Sequence, residues 1–193
     1  MSDVVDQLKT LNWNTYFSIV HSMGDQLNER QLRFTKSMVQ DRAVAQISNG
    51  KIEYVDKVGQ DHQLDNIRIE TKCGKNFLTT PTGKPKQKRK TASIKLTNTQ
   101  GSSDGRDLPN TFDYLMIVDT DTVAIASFQD IKSYVKSNGD GLSVQLPYEV
   151  LEWVVSPGEL AKEKLNIIVC NIKADIDKVI DSFINEFDMK QYA

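Results

Sequence analysis

The segment from Gly59 to Lys72, with the sequence GQDHQLDNIRIETK, is the most informative stretch of this 193-residue chain. Its second half alternates between β-branched residues and the charged residues Arg68, Glu70 and Lys72. Because successive side chains of a strand point to opposite faces of a sheet, the alternation predicts a strand over residues 66–72. The three charged side chains then share one face of that strand.

Two acidic residues, Asp61 and Glu70, are placed so that their side chains can converge at this strand. Asp61 precedes the strand and Glu70 lies within it, so their carboxylates can converge near its end. Two convergent carboxylates bind Mg²⁺ through oxygen, and the backbone carbonyl of Thr71 is a candidate third ligand. The ion would lower the pKa of a bound water and neutralise charge on a phosphate, while Lys72 would hold the attacking water or stabilise the transition state. The pattern predicts metal-dependent hydrolysis of a phosphodiester.

The first carboxylate of this site has two candidates. Asp65-Asn66 is typical of a tight turn between two hairpin strands, which favours Asp61 as the metal ligand. Asp65 remains the alternative. The neighbouring His62 is interpreted as a polar turn residue, because His21 is the only other histidine that could join it in catalysis.

Asp61, eight further residues and then Glu70-Thr71-Lys72 resemble the catalytic hairpin of the PD-(D/E)XK nuclease superfamily, and are most similar to that of type II restriction endonucleases. The resemblance covers about residues 28–137, including two later strands and the helix after them. One residue departs from the family pattern, since Gln60 stands where the family has Pro.

The resemblance implies site-specific cleavage of double-stranded DNA with Mg²⁺ as the cofactor and Mn²⁺ as a substitute. It implies catalytic roles for Asp61, Glu70 and Lys72, and metal binding by Asp61, Glu70 and Thr71. Cleavage of both strands with one active site per chain favours a homodimer. Two alternatives stay open: a nuclease of the same superfamily in DNA repair, recombination or phage DNA processing, and a non-catalytic nucleic-acid-binding module.

The acid–x–Lys triplet is not distinctive by itself. The chain also contains Asp130-Ile-Lys132 and Asp188-Met-Lys190, both within predicted helices. We interpret these two triplets as solvated helix faces. The strand pattern around Glu70, the acidic residues before it and the cations after it distinguish the first triplet.

Positive charge is concentrated after the predicted strand. The net charge is −2, yet residues 68–106 contain ten Lys or Arg against two acids. Five of these cations lie at residues 84–90, hereafter the basic segment. Pro81 and Pro85 favour a loop there. Such a segment favours contact with a polyanion. The predicted DNA-binding residues are Lys84, Lys86, Lys88, Arg89, Lys90, Asn98 and Arg106. The last two belong to residues 97–106, which are either a recognition loop or a plain connection.

The remaining periodicities predict one domain over residues 1–193, of α/β (α+β) class, with a central mixed sheet flanked by helices. Helices are predicted over 3–23, 28–48, 128–137, 159–165 and 175–189. Further strands are predicted over 51–58, 92–97, 112–118, 122–126, 142–146 and 166–172.

Composition excludes several other classes of protein. Two cysteines and two histidines do not form a zinc-binding pattern, and no GxSxG motif is present. The apolar runs are far shorter than the roughly 20 residues that a membrane span requires, and the first residues are acidic rather than signal-like. We therefore expect a soluble cytoplasmic protein with no membrane partner.

Overall fold

The computed structural model describes residues 3–26, 39–57, 59–73, 91–96, 110–138, 141–157 and 159. Its helices are α1 (Asp3–Lys9), α2 (Trp13–Gln26), α3 (described over 39–47) and α4 (Phe128–Lys132), and a 3-10 turn spans Tyr148–Val150. Its strands are β1 (Ile52–Lys57), β2 (Gln60–Leu64), β3 (Ile67–Cys73), β4 (Thr91–Leu96), β5 (Tyr114–Val118), β6 (Val123–Ser127), β7 (Val135–Asn138), β8 (Gly141–Pro147) and β9 (Glu152–Val155).

The strands form two sheets. The larger sheet has six strands in the order β1-β2-β3-β5-β6-β9, and the smaller has three in the order β4-β8-β7. Within the larger sheet β3 and β5 run parallel, whereas the other neighbours are antiparallel. This confirms the predicted α+β class with a central mixed sheet.

Two hydrophobic clusters lie on opposite faces of the larger sheet. One joins α1, α2 and α3 to the face that carries Ile69, Met116 and Ile125. The other joins the opposite face, through residues such as Leu115 and Ile117, to the smaller sheet and α4. The described residues therefore form three layers: helices, the six-stranded sheet and the three-stranded sheet. The predicted flanking by helices holds for the first face, and the smaller sheet covers much of the second.

The N-terminal helix predicted over 3–23 is two helices. The Thr10 hydroxyl donates a hydrogen bond to the carbonyl of Gln7 at the end of α1. The Asn12 side chain then accepts one from the Thr15 backbone N–H, 3.2 Å away, and so caps the start of α2. Apolar residues continue at roughly helical spacing on both sides of Asn12, so the apolar pattern alone did not separate the two helices.

The helix predicted over 128–137 is also too long. It begins with Ser127 as its cap and ends at Lys132, and residues 135–138 form β7, which pairs with β8. Tyr134 and Val135 favour strands, and pairing with β8 determines their conformation. The strand β9 was not predicted.

The other predicted strands and the described part of the second helix are confirmed with shifts of one or two residues at most ends. Residues 28–38 of that predicted helix and the elements predicted between 160 and 193 lie outside the described residues. Among the described residues, no helix has the length and apolarity needed to cross a membrane.

Candidate active site

The acidic segment from Gly59 to Lys72 forms the β2–β3 hairpin. Asp65 and Asn66 form its two-residue turn, with Leu64 opposite Ile67. Asp65 has a φ of 51°, in the left-handed region that Asp tolerates better than most residues. The predicted turn is thereby confirmed, and Asp61 lies within β2 rather than just before a strand.

The register of the hairpin brings Asp61 beside Glu70. The ladder ends at His62 opposite Ile69, so Asp61 and Glu70 are the first residues beyond it on the two strands. Their side chains share the face of the sheet that also carries Leu115, the β5 partner of Glu70. Asp65 lies at the turn, at the other end of the hairpin from this pair. The structure therefore brings Asp61, and not Asp65, next to Glu70.

The carboxylate of Asp61 also holds the backbone of β3. Its Oδ2 accepts a hydrogen bond of 2.7 Å from the Thr71 N–H, just beyond the last ladder pair. In a strand, the N–H and C=O of one residue point to the same side. The Thr71 carbonyl is consequently directed toward the same edge as Asp61, as a backbone ligand at this position requires.

Glu70 is the most buried acid of the site. Only 4% of its side chain is exposed, and its Oε1 forms an ion pair with Nζ of Lys72, whose side chain is 24% exposed. Burial raises the pKa of Glu70 above its ordinary value. The positive charge of Lys72 opposes this rise, whereas the negative charge of Asp61 and a hydrogen bond with it add to the rise. Two carboxyl groups thus compete for compensation by one ammonium group.

These oxygen donors fit Mg²⁺ or Mn²⁺ better than zinc or copper, which prefer nitrogen and sulfur ligands. Within the described ranges, no group of three or more His, Cys, Asp or Glu side chains could hold a metal ion. The candidate ligands at this position are two carboxylates, those of Asp61 and Glu70, and the Thr71 carbonyl. Mg²⁺ is commonly held by one or two carboxylates and keeps several of its waters, so a small all-oxygen set is typical for it.

The prediction that His62 is a polar turn residue is wrong. His62 lies in β2 and is fully buried, with 0% exposure. Its Nε2 is 2.7 Å from the Asp41 carbonyl of α3, and its Nδ1 is 2.8 Å from the Thr71 hydroxyl. The sequence did not reveal this role, because the Asp41 partner lies 21 residues earlier in α3 and no local pattern joins α3 to the hairpin.

A second polar group lies on the same face of β3, further from the site. Arg68 forms an ion pair of 2.8 Å with Asp113 and donates hydrogen bonds to the backbone carbonyl and side chain of Asn110. Hydrogen bonding to Arg68 lowers the pKa of Asp113. The Arg68 backbone N–H also bonds Asp113, so the pair fixes the entrance of β5 against β3. The alternation in β3 predicted the face of Arg68, but nothing in it identified Asp113.

The other predicted residues have different outcomes. Asp130 and Lys132 are both exposed in α4, as predicted for a solvated helix face, and Asp130 bonds the capping Ser127. The second such triplet, at 188–190, lies outside the described residues. So do all the predicted DNA-binding residues: Lys84, Lys86, Lys88, Arg89, Lys90, Asn98 and Arg106.

Comparison of the chain with protein-family models, with curated proteins and with solved structures found no match.

Proposed function

We propose that this protein is a Mg²⁺-dependent endonuclease that cleaves both strands of DNA at specific sites. One observation carries the proposal. On adjacent strands, Asp61 lies beside the buried Glu70, and Lys72 projects from the same face as its ion-pair partner. This arrangement combines two metal-binding carboxylates with one cation for a phosphate.

The residues divide the work by charge. Asp61 and Glu70 would hold the ion, with the Thr71 carbonyl as a third ligand. When bound, Mg²⁺ supplies Lewis-acid stabilisation of the scissile phosphate and activates a water. With the ion bound, its charge would neutralise Glu70, and Lys72 would no longer be needed to neutralise that carboxylate. The Lys72 ammonium then donates hydrogen bonds to the phosphate or the attacking water, where developing charge makes such a donor most effective.

The rest of the proposal depends on the sequence. The basic segment begins eleven residues after β3 ends at Cys73, so chain connectivity ties it to the strand that carries Lys72. Its cations would neutralise DNA phosphates, and residues 97–106 would contribute to sequence recognition. We further propose a homodimer, because two copies of one active site cleave the two strands of a duplex. We also propose that the enzyme is cytoplasmic, where its DNA substrate is accessible.

The test is cleavage of unmethylated phage DNA with Mg²⁺ by three proteins: wild type, Lys72→Ala and Lys132→Ala. Lys132 is the matched control because it ends the same acid–x–Lys triplet on an exposed helix. We expect discrete fragments from wild type and Lys132→Ala. Lys72→Ala should cleave more slowly by about 10²-fold, since it removes a transition-state donor.

Other results would contradict specific parts of the proposal. Smeared products from wild type would retain the nuclease but reject site-specific cleavage, which favours a repair, recombination or phage-processing enzyme. Equal cleavage by wild type and Lys72→Ala would reject this active site. Intact DNA with Mg²⁺ and with Mn²⁺, on several substrates, would favour a nucleic-acid-binding module.

A further inference from the structure

A buried hydrogen-bonded chain connects helix α3 to the carboxylate of Asp61. It begins at the Asp41 carbonyl, passes through the His62 imidazole to the Thr71 hydroxyl, and ends where the Thr71 N–H bonds Asp61 Oδ2. The three successive distances are 2.7, 2.8 and 2.7 Å. His62 and Thr71 are both buried, with exposures of 0% and 4%. The chain thus crosses from one face of the larger sheet to the edge of the proposed metal site.

The direction of each hydrogen bond follows from the chemistry of the groups. A carbonyl only accepts, so Nε2 of His62 carries the proton and donates to Asp41. In the neutral ring Nδ1 is then an acceptor, and it accepts from the Thr71 hydroxyl. The Tyr54 ring on β1 packs against the imidazole in a T-shaped arrangement, with centroids 6.1 Å apart.

We infer that His62 is a positioning residue of the proposed metal site: by holding Thr71 against α3, it places the Thr71 N–H that orients the Asp61 carboxylate beside Glu70. Its effect on metal affinity rests on the proposed function, whereas the orientation of Asp61 can be tested without it. Replacing a residue that hydrogen-bonds to a metal ligand and orients it commonly lowers metal affinity by about 10–100-fold.

Two replacements of His62 each keep one of its two hydrogen bonds and lose the other. His62→Asn places an acceptor oxygen near the position of Nδ1 and keeps the bond from Thr71, but it loses Asp41. His62→Gln places its donor near the position of Nε2 and keeps Asp41, but it loses Thr71. Both variants remove the buried ring, so their losses of stability should be similar. Thr71→Val removes the same hydroxyl contact from the other partner.

Two measurements then test the inference: hydrogen exchange of the backbone amide at position 71, and the affinity for Mn²⁺ alone. We expect exchange at position 71 to be about tenfold faster in His62→Gln and Thr71→Val than in His62→Asn. We expect Mn²⁺ to bind about 10–100-fold more weakly to His62→Gln than to His62→Asn.

The outcomes distinguish this inference from the proposed function. Equal exchange at position 71 in all three variants would overturn the positioning role, whatever the activity of the wild type. Equal Mn²⁺ affinities in variants that differ in exchange would also overturn it, because the placement of Asp61 would then not matter to the metal. Wild type that binds no Mn²⁺ and cleaves no DNA would reject the proposed function, and exchange at position 71 would still decide the orientation of Asp61.

Discussion

At the scale of single residues, the candidate site is defined by Glu70, a carboxyl group whose burial disfavours its charged form. Glu70 lies almost fully buried beside Asp61, and the pKa of Glu70 is raised mainly because burial disfavours the charged form. An ordinary buried position would carry a neutral residue. Acids held at such a cost to stability are concentrated at functional sites, which is why this residue supports the proposed metal centre.

Glu70→Gln should therefore remove activity without lowering stability at neutral pH. A folded-state pKa above the unfolded value of about 4.3 means that the stability contribution of Glu70 is complete below that value. It is lost as the pH rises through the folded-state pKa. Relative to wild type, the free energy of unfolding of Glu70→Gln should consequently increase as the pH rises above about 4. Denaturant unfolding across this pH range in metal-free buffer measures the difference.

The control for this experiment is Glu149→Gln, because Glu149 is exposed on the 3-10 turn. Replacing this exposed side chain should change the free energy of unfolding by less than about 0.5 kcal/mol at neutral pH. Adding Mg²⁺ at about 100 times its dissociation constant should stabilise wild type by about 2.7 kcal/mol and leave Glu70→Gln unchanged. A variant that is less stable than wild type throughout, with or without Mg²⁺, would show that Glu70 is a structural residue.

At the scale of elements, the β2–β3 hairpin positions the site, and a close contact fixes its entrance. Gly59, two residues before Asp61, has a φ of 74°. A Cβ at this position would lie 2.2 Å from Oγ1 of Thr111, which belongs to the segment that Arg68 holds in front of β5. Only glycine satisfies both the backbone conformation and the contact.

Gly59→Ala should destabilise the protein more than Gly50→Ala. Gly50 has a φ of 83°, but an added Cβ there would meet no atom within 4 Å. Its replacement therefore meets only the backbone strain of about 1–2 kcal/mol. Gly59→Ala adds an overlap that should cost about 1–3 kcal/mol more. Thermal or denaturant unfolding of both variants measures this difference. Equal losses would mean that Thr111 moves aside freely and that the contact does not fix the hairpin.

The success of sequence-based prediction varied with the range of the interactions involved. The strand that carries Glu70 and Lys72, and the turn at Asp65-Asn66, depend on local alternation and turn chemistry, so the sequence predicted them. The second sheet and the bond from His62 to Asp41 depend on contacts between segments that are distant along the chain. The true end of α4 depends on the β7–β8 hairpin. Local periodicity contains no information on such pairings. The sequence also predicted the proximity of Asp61 to Glu70, although by a fold-back rather than by pairing of two strands.

At the scale of the whole molecule, the described residues place helices on one face of the mixed sheet and a second sheet on the other. The Asp61 and Glu70 carboxylates lie on the face of the larger sheet that packs against the smaller sheet. The basic segment lies along the chain between β3 of the larger sheet and β4 of the smaller. Ten cations and two acids give residues 68–106 a net charge of +8, whereas the whole chain carries −2. We expect DNA affinity to depend on this one segment.

Replacing the five cations of the basic segment by Ala should reduce DNA affinity at low salt and flatten its dependence on salt. Removal of one phosphate contact lowers the slope of log affinity against log salt by about 0.9, so removal of five would lower it by about 4.5. The control replaces four exposed lysines elsewhere: Lys9, Lys51, Lys57 and Lys132. Fluorescence anisotropy at several salt concentrations measures both slopes. Equal slopes for the two sets would indicate attraction by general charge and not by the basic segment.

An equilibrium titration of Mn²⁺ into the wild type, Asp61→Asn, Asp65→Asn and Glu70→Gln tests most directly whether Asp61 and Glu70 hold a metal ion. We predict that wild type and Asp65→Asn bind the ion with similar affinity, because Asp65 lies in the hairpin turn away from Glu70. Asp61→Asn and Glu70→Gln should each lose most of that affinity, since each removes one of two carboxylate ligands. Binding that survives both replacements, or its absence from wild type, would contradict a metal centre on these two carboxylates.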